Sequence, residues 1–358
     1  NLVEPNIINF LDLVSLGTVC DVVPLVGLNR AIVKQGLKIL KKRLNLGLKT
    51  LYDLCKIESQ PTTYDLGYIL GPRINAGGRV GRSSDGAELL SSNNPERAYQ
   101  IALALDKSNT ERQSIELIMF EKINSEAKKS MDDPVLILSG YNWHEGIIGI
   151  IAAKIKEKYN KPTIIISFNQ NEGKGSARSI HGFDIGSSII SAVQSKILLK
   201  GGGHKMAGGF TINKKNLDIF KNFLLNKFKK TNLDLIKNKN LYVDSIIAPT
   251  ALNEDFYKEI NLLSPFGSGN PEPRFVIEKL RVIKTSILKK KHIKTIMYAA
   301  NGQIIKGIAF NSINTPMQSY LLSKNKILNI AGKITLNEWL GKKDFEFLIE
   351  DISVEKLN

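Results

Sequence analysis

The order of apolar and polar positions divides this 358-residue chain into four segments. Residues 1–94 combine an apolar run with a stretch rich in glycine and arginine. Residues 95–131 carry apolar positions at helical spacing among many charges, which predicts one long helix. Residues 132–235 alternate apolar runs with amphipathic stretches, and residues 236–358 are mostly strand-like. The pattern predicts an α/β multidomain protein.

The first two segments predict a strand, a loop and then the long helix. The apolar run from Asp12 to Asp21 predicts a strand that ends in a turn, and a helix follows after Asn29. Residues 65–90 are too polar and too dense in glycine for regular structure, so they predict a loop. The helix from about Pro95 to Ser130 is typical of one that connects domains.

The third segment reads as a compact unit of strands and helices. Its runs VLILS, PTIIISF, GKGSARS and AGGFTI predict strands at 135–139, 162–168, 173–179 and 207–212. Its amphipathic stretches predict helices at 145–159, 184–199 and 214–230, and GGGH (201–204) predicts a tight loop. The alternation indicates a layered α/β domain.

The fourth segment contains five or six strand-like runs and one short helix near 251–261. A small β-barrel accounts for this pattern. An OB-like barrel is the first choice, because such barrels commonly bind single-stranded nucleic acid.

Composition narrows the class of protein. Lys and Arg number 50 against 34 Asp and Glu, a net charge of +16, which indicates a polyanionic partner or solubility through self-repulsion. A composition rich in Lys, Asn and Ile can also reflect AT-rich coding. Two cysteines without a CxxC pattern argue against a zinc site and a disulfide framework, and fit a reducing cytoplasm. No run approaches the roughly 18 apolar residues of a membrane span, so no membrane partner is expected.

The GGGH loop is the first candidate for chemistry. Glycine at Gly202 and Gly203 allows positive φ and a close backbone approach, so that successive N–H groups can hold an anion. His204 adds a donor or general acid, and Lys205 adds charge. The alternative is a tight turn with a solvent-exposed histidine.

Ser176 and Arg178 are the second candidate. On a strand they point the same way, and the arginine fork matches phosphate oxygens. Taken alone, an ordinary exposed strand face is the better explanation for them.

Two further candidates precede the long helix. Arg73, Asn75 and Arg79 lie among glycines, where they could bind phosphates or form salt bridges to an adjoining domain. Asp21 ends the predicted strand, where a carboxylate serves as a metal ligand or as a helix cap.

Six segments, read together, resemble the RecJ family of DHH-type phosphoesterases. They occur in the family's order along nearly the whole chain. They are LDLVSLGTVCDVVPLVGLNRAIVKQGL (11–37), LGYILGPRINAGGRVG (66–81), WHEGIIGIIAAKI (143–155), GKGSARSI (173–180), GGGHKMAGGFTI (201–212) and LSPFGSGNPEPRF (263–275). The resemblance implies the C-terminal part of a DHH domain, a connecting helix, a DHHA1 domain and an OB-like barrel.

The resemblance also implies roles for the candidate residues. Asp21 would be a metal-binding carboxylate, and the loop with Arg73, Asn75 and Arg79 would contact DNA. Arg178 and His204 would act in catalysis on a substrate phosphate. Phosphate contacts would come from Ser176, Gly202, Gly203 and Lys205.

The implied function is 5′ to 3′ hydrolysis of single-stranded DNA with two Mg²⁺ or Mn²⁺ ions, in DNA repair and recombination. Single-strand-binding protein and a helicase are the implied partners. The family's other metal ligands form a DxD-type motif and a DHH triplet, which this sequence lacks. We therefore expect an N-terminally truncated chain that is inactive alone. Two alternatives are a phosphodiesterase for short oligonucleotides or cyclic dinucleotides, and a non-catalytic single-stranded-DNA-binding fragment.

Overall fold

The computed structural model describes residues 6–230, 240–339 and 342–354 and divides the chain into two compact units. The barrel unit comprises residues 1–42, 61–63 and 240–358, and the sheet unit comprises residues 43–60 and 64–239. The domain boundary predicted between residues 235 and 236 lies outside the described residues.

Helices and short turns make up the described residues before the long helix. A 3₁₀ turn spans Ile7–Phe10 and a π-helical turn spans Asp65–Leu70. The α-helices are α1 (Leu11–Cys20), α2 (Gly27–Leu40), α3 (Leu46–Leu54), α4 (Gly71–Ile74), α5 (Gly77–Val80) and α6 (Asp85–Ser91).

The strand predicted from Asp12 to Asp21 is wrong, because this run forms α1. Asp12, Ser15 and Leu16 are its buried residues, at helical spacing, whereas Val14 is exposed. The buried side packs on α2, where the Ser15 hydroxyl donates to the carbonyl oxygen of Ile32 at 3.3 Å. Tertiary packing has overridden the strand preference of a run rich in β-branched residues.

The loop predicted at 65–90 is also wrong, because most of this segment is helical. Its glycines mark places where backbones pass closely. A Cβ on Gly77 would lie 2.5 Å from the carbonyl oxygen of Arg82, and one on Gly86 would lie 3.0 Å from that of Ile74. Leu66 and Leu70 are fully buried, so the segment belongs to a packed core.

The sheet unit continues with the long helix and a mixed sheet. Its elements are α7 (Pro95–Lys129), β1 (Leu136–Tyr141), α8 (Glu145–Tyr159), β2 (Thr163–Asn169), β3 (Glu172–Arg178), α9 (Ile185–Gln194), β4 (Lys200–His204), β5 (Ala207–Asn213), a 3₁₀ turn (Lys214–Asn216) and α10 (Leu217–Lys229). The sheet order is β1-β2-β3-β5-β4. β1 is parallel to β2, and the other neighbours are antiparallel.

Each face of this sheet has its own core. Ile164, Ile166 and Phe210 pack against α9 and α10, whereas Ile165 packs against α7 and α8. Most elements match the predicted ones, but α9 ends at Gln194, short of the predicted Leu199. The chain leaves the helix at Lys196, whose φ of 58° is left-handed.

The barrel unit ends in a closed five-stranded barrel. Its elements are β6 (Ser245–Ile246), a 3₁₀ turn (Pro249–Ala251), α11 (Glu254–Leu262), β7 (Phe275–Leu288), β8 (His292–Ala299), β9 (Ile304–Ala309), α12 (Pro316–Leu321), β10 (Ile327–Trp339) and β11 (Lys342–Val354). The strands follow the order β7-β8-β9-β11-β10, and β10 pairs back onto β7. This closure, with a helix before the fourth barrel strand, is the arrangement of an OB barrel.

The segment 263–275, which leads into strand β7 of the barrel, forms hydrogen bonds with the α1–α2 region of the same unit. The amide of Leu25 donates to the carbonyl oxygen of Ser268 at 2.6 Å. The Arg30 guanidinium donates to the carbonyl oxygen of Leu263 at 2.6 Å. Among the described residues, no helix is both long and apolar enough to cross a membrane.

Two glycines on the α1–α2 pair test this packing. A Cβ on Gly36 would lie 1.8 Å from Ser15 Oγ, so Gly36→Ala should lower the free energy of unfolding by about 1–3 kcal/mol. Gly17 has no atom within 4 Å of its Cβ position, so Gly17→Ala should raise it by about 0.5–1 kcal/mol. Urea unfolding followed by circular dichroism measures both. Equal effects of the two variants would contradict the close helix contact.

Candidate phosphate-binding site

The sequence of β3 sends small residues to one face of the sheet and polar residues to the other. Gly173, Gly175 and Ala177 face the core under α9; a Cβ on Gly175 would overlap the Phe210 ring at 2.1 Å. Because strand side chains alternate, Lys174, Ser176 and Arg178 share the opposite face, which α8 partly covers. This alternation confirms that Ser176 and Arg178 point the same way.

GGGH is not a tight loop, because residues 201–204 lie in the edge strand β4. None of Gly201, Gly202 and Gly203 has a positive φ, so the expected nest of left-handed backbone is wrong. A Cβ on Gly203 would lie 2.4 Å from the carbonyl oxygen of Ala207, whereas one on Gly202 would meet no atom within 4 Å. Glycine is therefore needed at Gly203 for the close approach of two strands, and at Gly202 it leaves the face of the sheet open.

The strand register arranges this open face in three rows across β3, β5 and β4. The middle row is Ser176–Gly209–Gly202, and glycine leaves two of its three positions without a side chain. The row on one side is Arg178–Ala207–His204, and the row on the other is Lys174–Thr211–Lys200. The sheet thus presents a shallow strip of bare backbone between two rows that carry cationic side chains.

Arg178 is held beside Ser176 on this face. Its Nη1 donates to the Ser176 hydroxyl at 3.3 Å and to the carbonyl oxygen of Ala177 at 2.9 Å. Gly149 of α8 makes room, because a Cβ there would lie 3.0 Å from Ser176 Oγ and 3.1 Å from Arg178 Nη2. A larger residue at Gly149 would displace both groups.

A second guanidinium approaches from α5. Arg79 donates to the carbonyl oxygen of Gly146, in the first turn of α8, at 2.8 Å. Burial, and then the charge of Arg79, lower the pKa of Arg178. Burial, and then Arg112, lower the pKa of Arg79, while Glu116 raises it. Two cations are thus held close together and partly withdrawn from water.

Glu116, the carboxylate that raises the pKa of Arg79, has cationic partners of its own. Glu116 is buried and accepts from both Arg112 and Lys154. Glu116 therefore brings no unpaired negative charge to Arg79 and Arg178. A bound anion would relieve the repulsion and match the fork geometry of arginine.

The other predicted site residues differ in their exposure and in their hydrogen-bond or ion-pair partners. His204 is exposed in the same row as Arg178, and its Nδ1 accepts from the amide of Met206 at 3.4 Å. Lys205 is exposed beyond the end of β4. Arg73 pairs with Asp106 at 2.8 Å inside its own unit, and Asn75 ends α4.

Asp21 does not end a strand, because it follows α1, where its amide caps the helix by donating to the carbonyl oxygen of Gly17 at 2.9 Å. Within the described residues, no group of three or more His, Cys, Asp or Glu side chains could hold a metal ion. These residues therefore do not by themselves fit a two-metal centre.

Three cationic or hydroxyl groups of this face are absent from the sequence-based candidates. They are Lys174, Thr211 and Lys200. The alternation of β3 could have identified Lys174, since it precedes Ser176 by two positions. The other two required the strand register.

Comparisons with known proteins agree with this architecture. The DHHA1 domain family matches residues 132–230 and the RecJ OB domain family matches residues 243–351. The single-stranded-DNA-specific exonuclease RecJ of Haemophilus influenzae is 34% identical, over 98% of this chain and 62% of the relative. That of Dickeya dadantii is 32% identical with the same coverage. The predicted fold class is confirmed.

A solved structure is also similar over most of the chain. RecJ from Thermus thermophilus in complex with Mn²⁺ superposes with a TM-score of 0.83 at 25% identity, over 98% of this chain and 50% of that one. The chain spans about 62% of the length of the two curated relatives named above.

The crowding of Arg79 and Arg178 predicts a specific response to anions. Inorganic phosphate should stabilise the protein, by about 1.4 kcal/mol at ten times its Kd, and Arg178→Gln should abolish this gain. Without phosphate, Arg178→Gln should not lower the thermal midpoint, because it removes a repulsion. Lys229→Gln, on an exposed part of α10, is the charge-matched control. An equal phosphate response in all three proteins would contradict the site.

Proposed function

This chain belongs to the RecJ family, and on that premise we propose that it provides the phosphate-binding and strand-binding parts of an exonuclease specific for single-stranded DNA. The observation that carries the proposal is that Arg178, bonded to Ser176, lies within the electrostatic influence of a second partly buried cation, Arg79, beside a glycine-lined strip of sheet. A DNA phosphate supplies the missing negative charge, and bare backbone lets a polymer approach closely.

The proposed roles follow from the positions of the side chains. The Arg178 fork binds non-bridging phosphate oxygens, Ser176 donates a hydrogen bond, and Arg79 adds charge. As charge builds on the phosphate during hydrolysis, these contacts strengthen, which is how preorganised donors accelerate a reaction. We propose that His204, which lies in the row of Arg178, acts as a general acid toward the substrate. Arg73, Asn75 and Lys205 are proposed DNA contacts outside this core.

Dependence on Mg²⁺ or Mn²⁺ is part of the proposal, because a similar RecJ structure contains Mn²⁺. In such enzymes divalent ions activate water and stabilise the leaving oxygen. The described residues of this chain do not form a centre for two ions, so Asp21 stays a proposed single ligand. Four further proposals rest on family resemblance alone. They are the 5′ to 3′ direction, a role in repair and recombination, a cytoplasmic location, and single-strand-binding protein and a helicase as partners.

The barrel supplies a second surface for the strand. Lys289 and Lys290, with φ of 50° and 55°, form the turn between β7 and β8, and Lys291 follows. Left-handed φ favours Gly, Asn or Asp, so two lysines there accept backbone strain while exposing three adjacent cations. Phe310 is 53% exposed, and its ring meets His292 edge-on at 5.1 Å. Cations beside an exposed aromatic ring suit phosphates and stacked bases.

A second candidate function is single-strand binding without catalysis. The lack of a metal-binding cluster among the described residues favours it. The closed barrel argues against an enzyme restricted to short oligonucleotides or cyclic dinucleotides, because such a substrate does not extend to a second binding domain.

The two candidates differ in nuclease activity. We expect the purified 358-residue chain to release no nucleotides from a labelled single strand in Mn²⁺, while full-length RecJ of Haemophilus influenzae digests the same strand. Release from this chain that a chelator stops would exclude the purely binding function. It would also show that the chain completes a metal centre.

Binding to single strands should depend on salt and on the lysine turn. Affinity should fall steeply between about 50 and 200 mM salt, because phosphate contacts release counterions. Replacing Lys289, Lys290 and Lys291 with Gln should weaken binding and reduce the slope of log K against log salt by up to about 2. The matched control replaces Lys122, Lys128 and Lys129, exposed on α7. Fluorescence anisotropy measures both. The proposal would be contradicted if both triple variants lost the same affinity, if affinity did not depend on salt, or if the protein bound duplex DNA more tightly than single strands.

A further inference from the structure

A pocket of about 440 Å³ lies between α8 and the sheet, beside the candidate site. Its polar lining comes from Glu145, Lys174, Ser176, Lys200 and Thr211, and Ile148 of α8 contributes an apolar wall. Ser176 belongs both to this pocket and to the hydrogen bond with Arg178. The pocket is therefore continuous with the Ser176–Arg178 site.

The floor of the pocket is the row Lys174–Thr211–Lys200. Thr211 pairs with Lys174 on one side and with Lys200 on the other. Neighbouring strands are about 4.8 Å apart, so the two lysines start about 10 Å apart and flank the threonine. Their side chains are long enough to converge above the Thr211 hydroxyl, which suits a tetrahedral anion with oxygens facing three donors.

The distance between the two rows matches a polynucleotide. Ser176 and Lys174 are two residues apart on β3, a rise of about 7 Å. Successive phosphates of an extended single strand are separated by a comparable distance. The open position of Gly202 and the bare Gly209 lie in the middle row, so no side chain blocks a strand that crosses from one row to the other.

The charges of the pocket favour an anion, with one exception. Lys200 is exposed and forms no ion pair within the described parts of the chain, and Lys174 has only a distant partner, Glu172 at 3.9 Å. Glu145 in the wall opposes an anion. Its carboxylate would weaken phosphate binding there without preventing it, because two cations line the same pocket.

We infer that Lys174, Thr211 and Lys200 form a second phosphate subsite, which holds the phosphate next to the one bound by Ser176 and Arg178. The inference rests on the proposed function of that first site. The preferred small ligand is then a 5′-phosphorylated dinucleotide, whose two phosphates fill both subsites. A mononucleotide monophosphate fills only the first.

Calorimetric titration of the full chain with 5′-phosphorylated thymidine dinucleotide and with thymidine 5′-monophosphate tests the inference. The wild type should bind the dinucleotide at least about tenfold more tightly, the value of one further charge-assisted contact. The double variant Lys174→Gln, Lys200→Gln should lose this advantage and keep its affinity for the mononucleotide. Lys229→Gln, an exposed lysine of α10, should change neither.

Glu145→Gln tests the inference through an expected gain in affinity, which a variant that merely unfolds could not show. Removing this carboxylate should tighten dinucleotide binding several-fold and leave mononucleotide binding nearly unchanged. The second subsite is overturned if the dinucleotide has no advantage, if the advantage survives in the double lysine variant, or if Glu145→Gln weakens dinucleotide binding.

Arg178→Gln separates this inference from the proposed function. It should weaken both ligands, because both use the first subsite. If the mononucleotide binds and depends on Arg178 while the dinucleotide gains nothing, only the second subsite fails. If neither ligand binds, or if Arg178→Gln has no effect on either, the first site and the subsite built on it fail together.

Discussion

The packing of two partly buried guanidinium groups against α8 is the constraint on which the candidate site depends. Burial lowers the pKa of both groups, and the charge of Arg79 lowers that of Arg178 further, as the charge of Arg112 does for Arg79. Both groups lie against α8: Arg79 donates to the carbonyl oxygen of Gly146, and Gly149 leaves room for Arg178.

Glycine makes the arrangement possible in two distinct ways. At Gly175 and Gly203 it lets neighbouring rings and strands approach closer than any Cβ would allow. At Gly202 and Gly209 it keeps the ligand face free of side chains. The same strands therefore pack tightly against α9 on one face and stay open on the other. The lysine turn of the barrel follows a related principle, since it accepts strained backbone to expose charge.

The long periodic elements were predictable, because their apolar positions repeat over many residues. The helix Pro95–Lys129, the helix Glu145–Tyr159 and the strand around Ile165 match their predicted positions closely. Predictions based on the strand preference of β-branched residues or the loop preference of glycine are wrong in two segments. The strand at Asp12–Asp21 is a helix, and residues 65–90 form packed helical turns, because contacts with distant segments outweigh local preference.

Composition and alternation are local properties, so the amino-acid order alone predicts the α/β multidomain class, the excess of positive charge and the shared direction of Ser176 and Arg178. The folded chain was needed to show that GGGH is an edge strand, that Arg79 lies near Arg178, and that Lys200 shares a row with Lys174. These relations depend on strand register and helix packing between residues far apart along the chain. No local pattern contains these relations. The number of charges can therefore be read from the sequence, but their positions in the candidate site cannot.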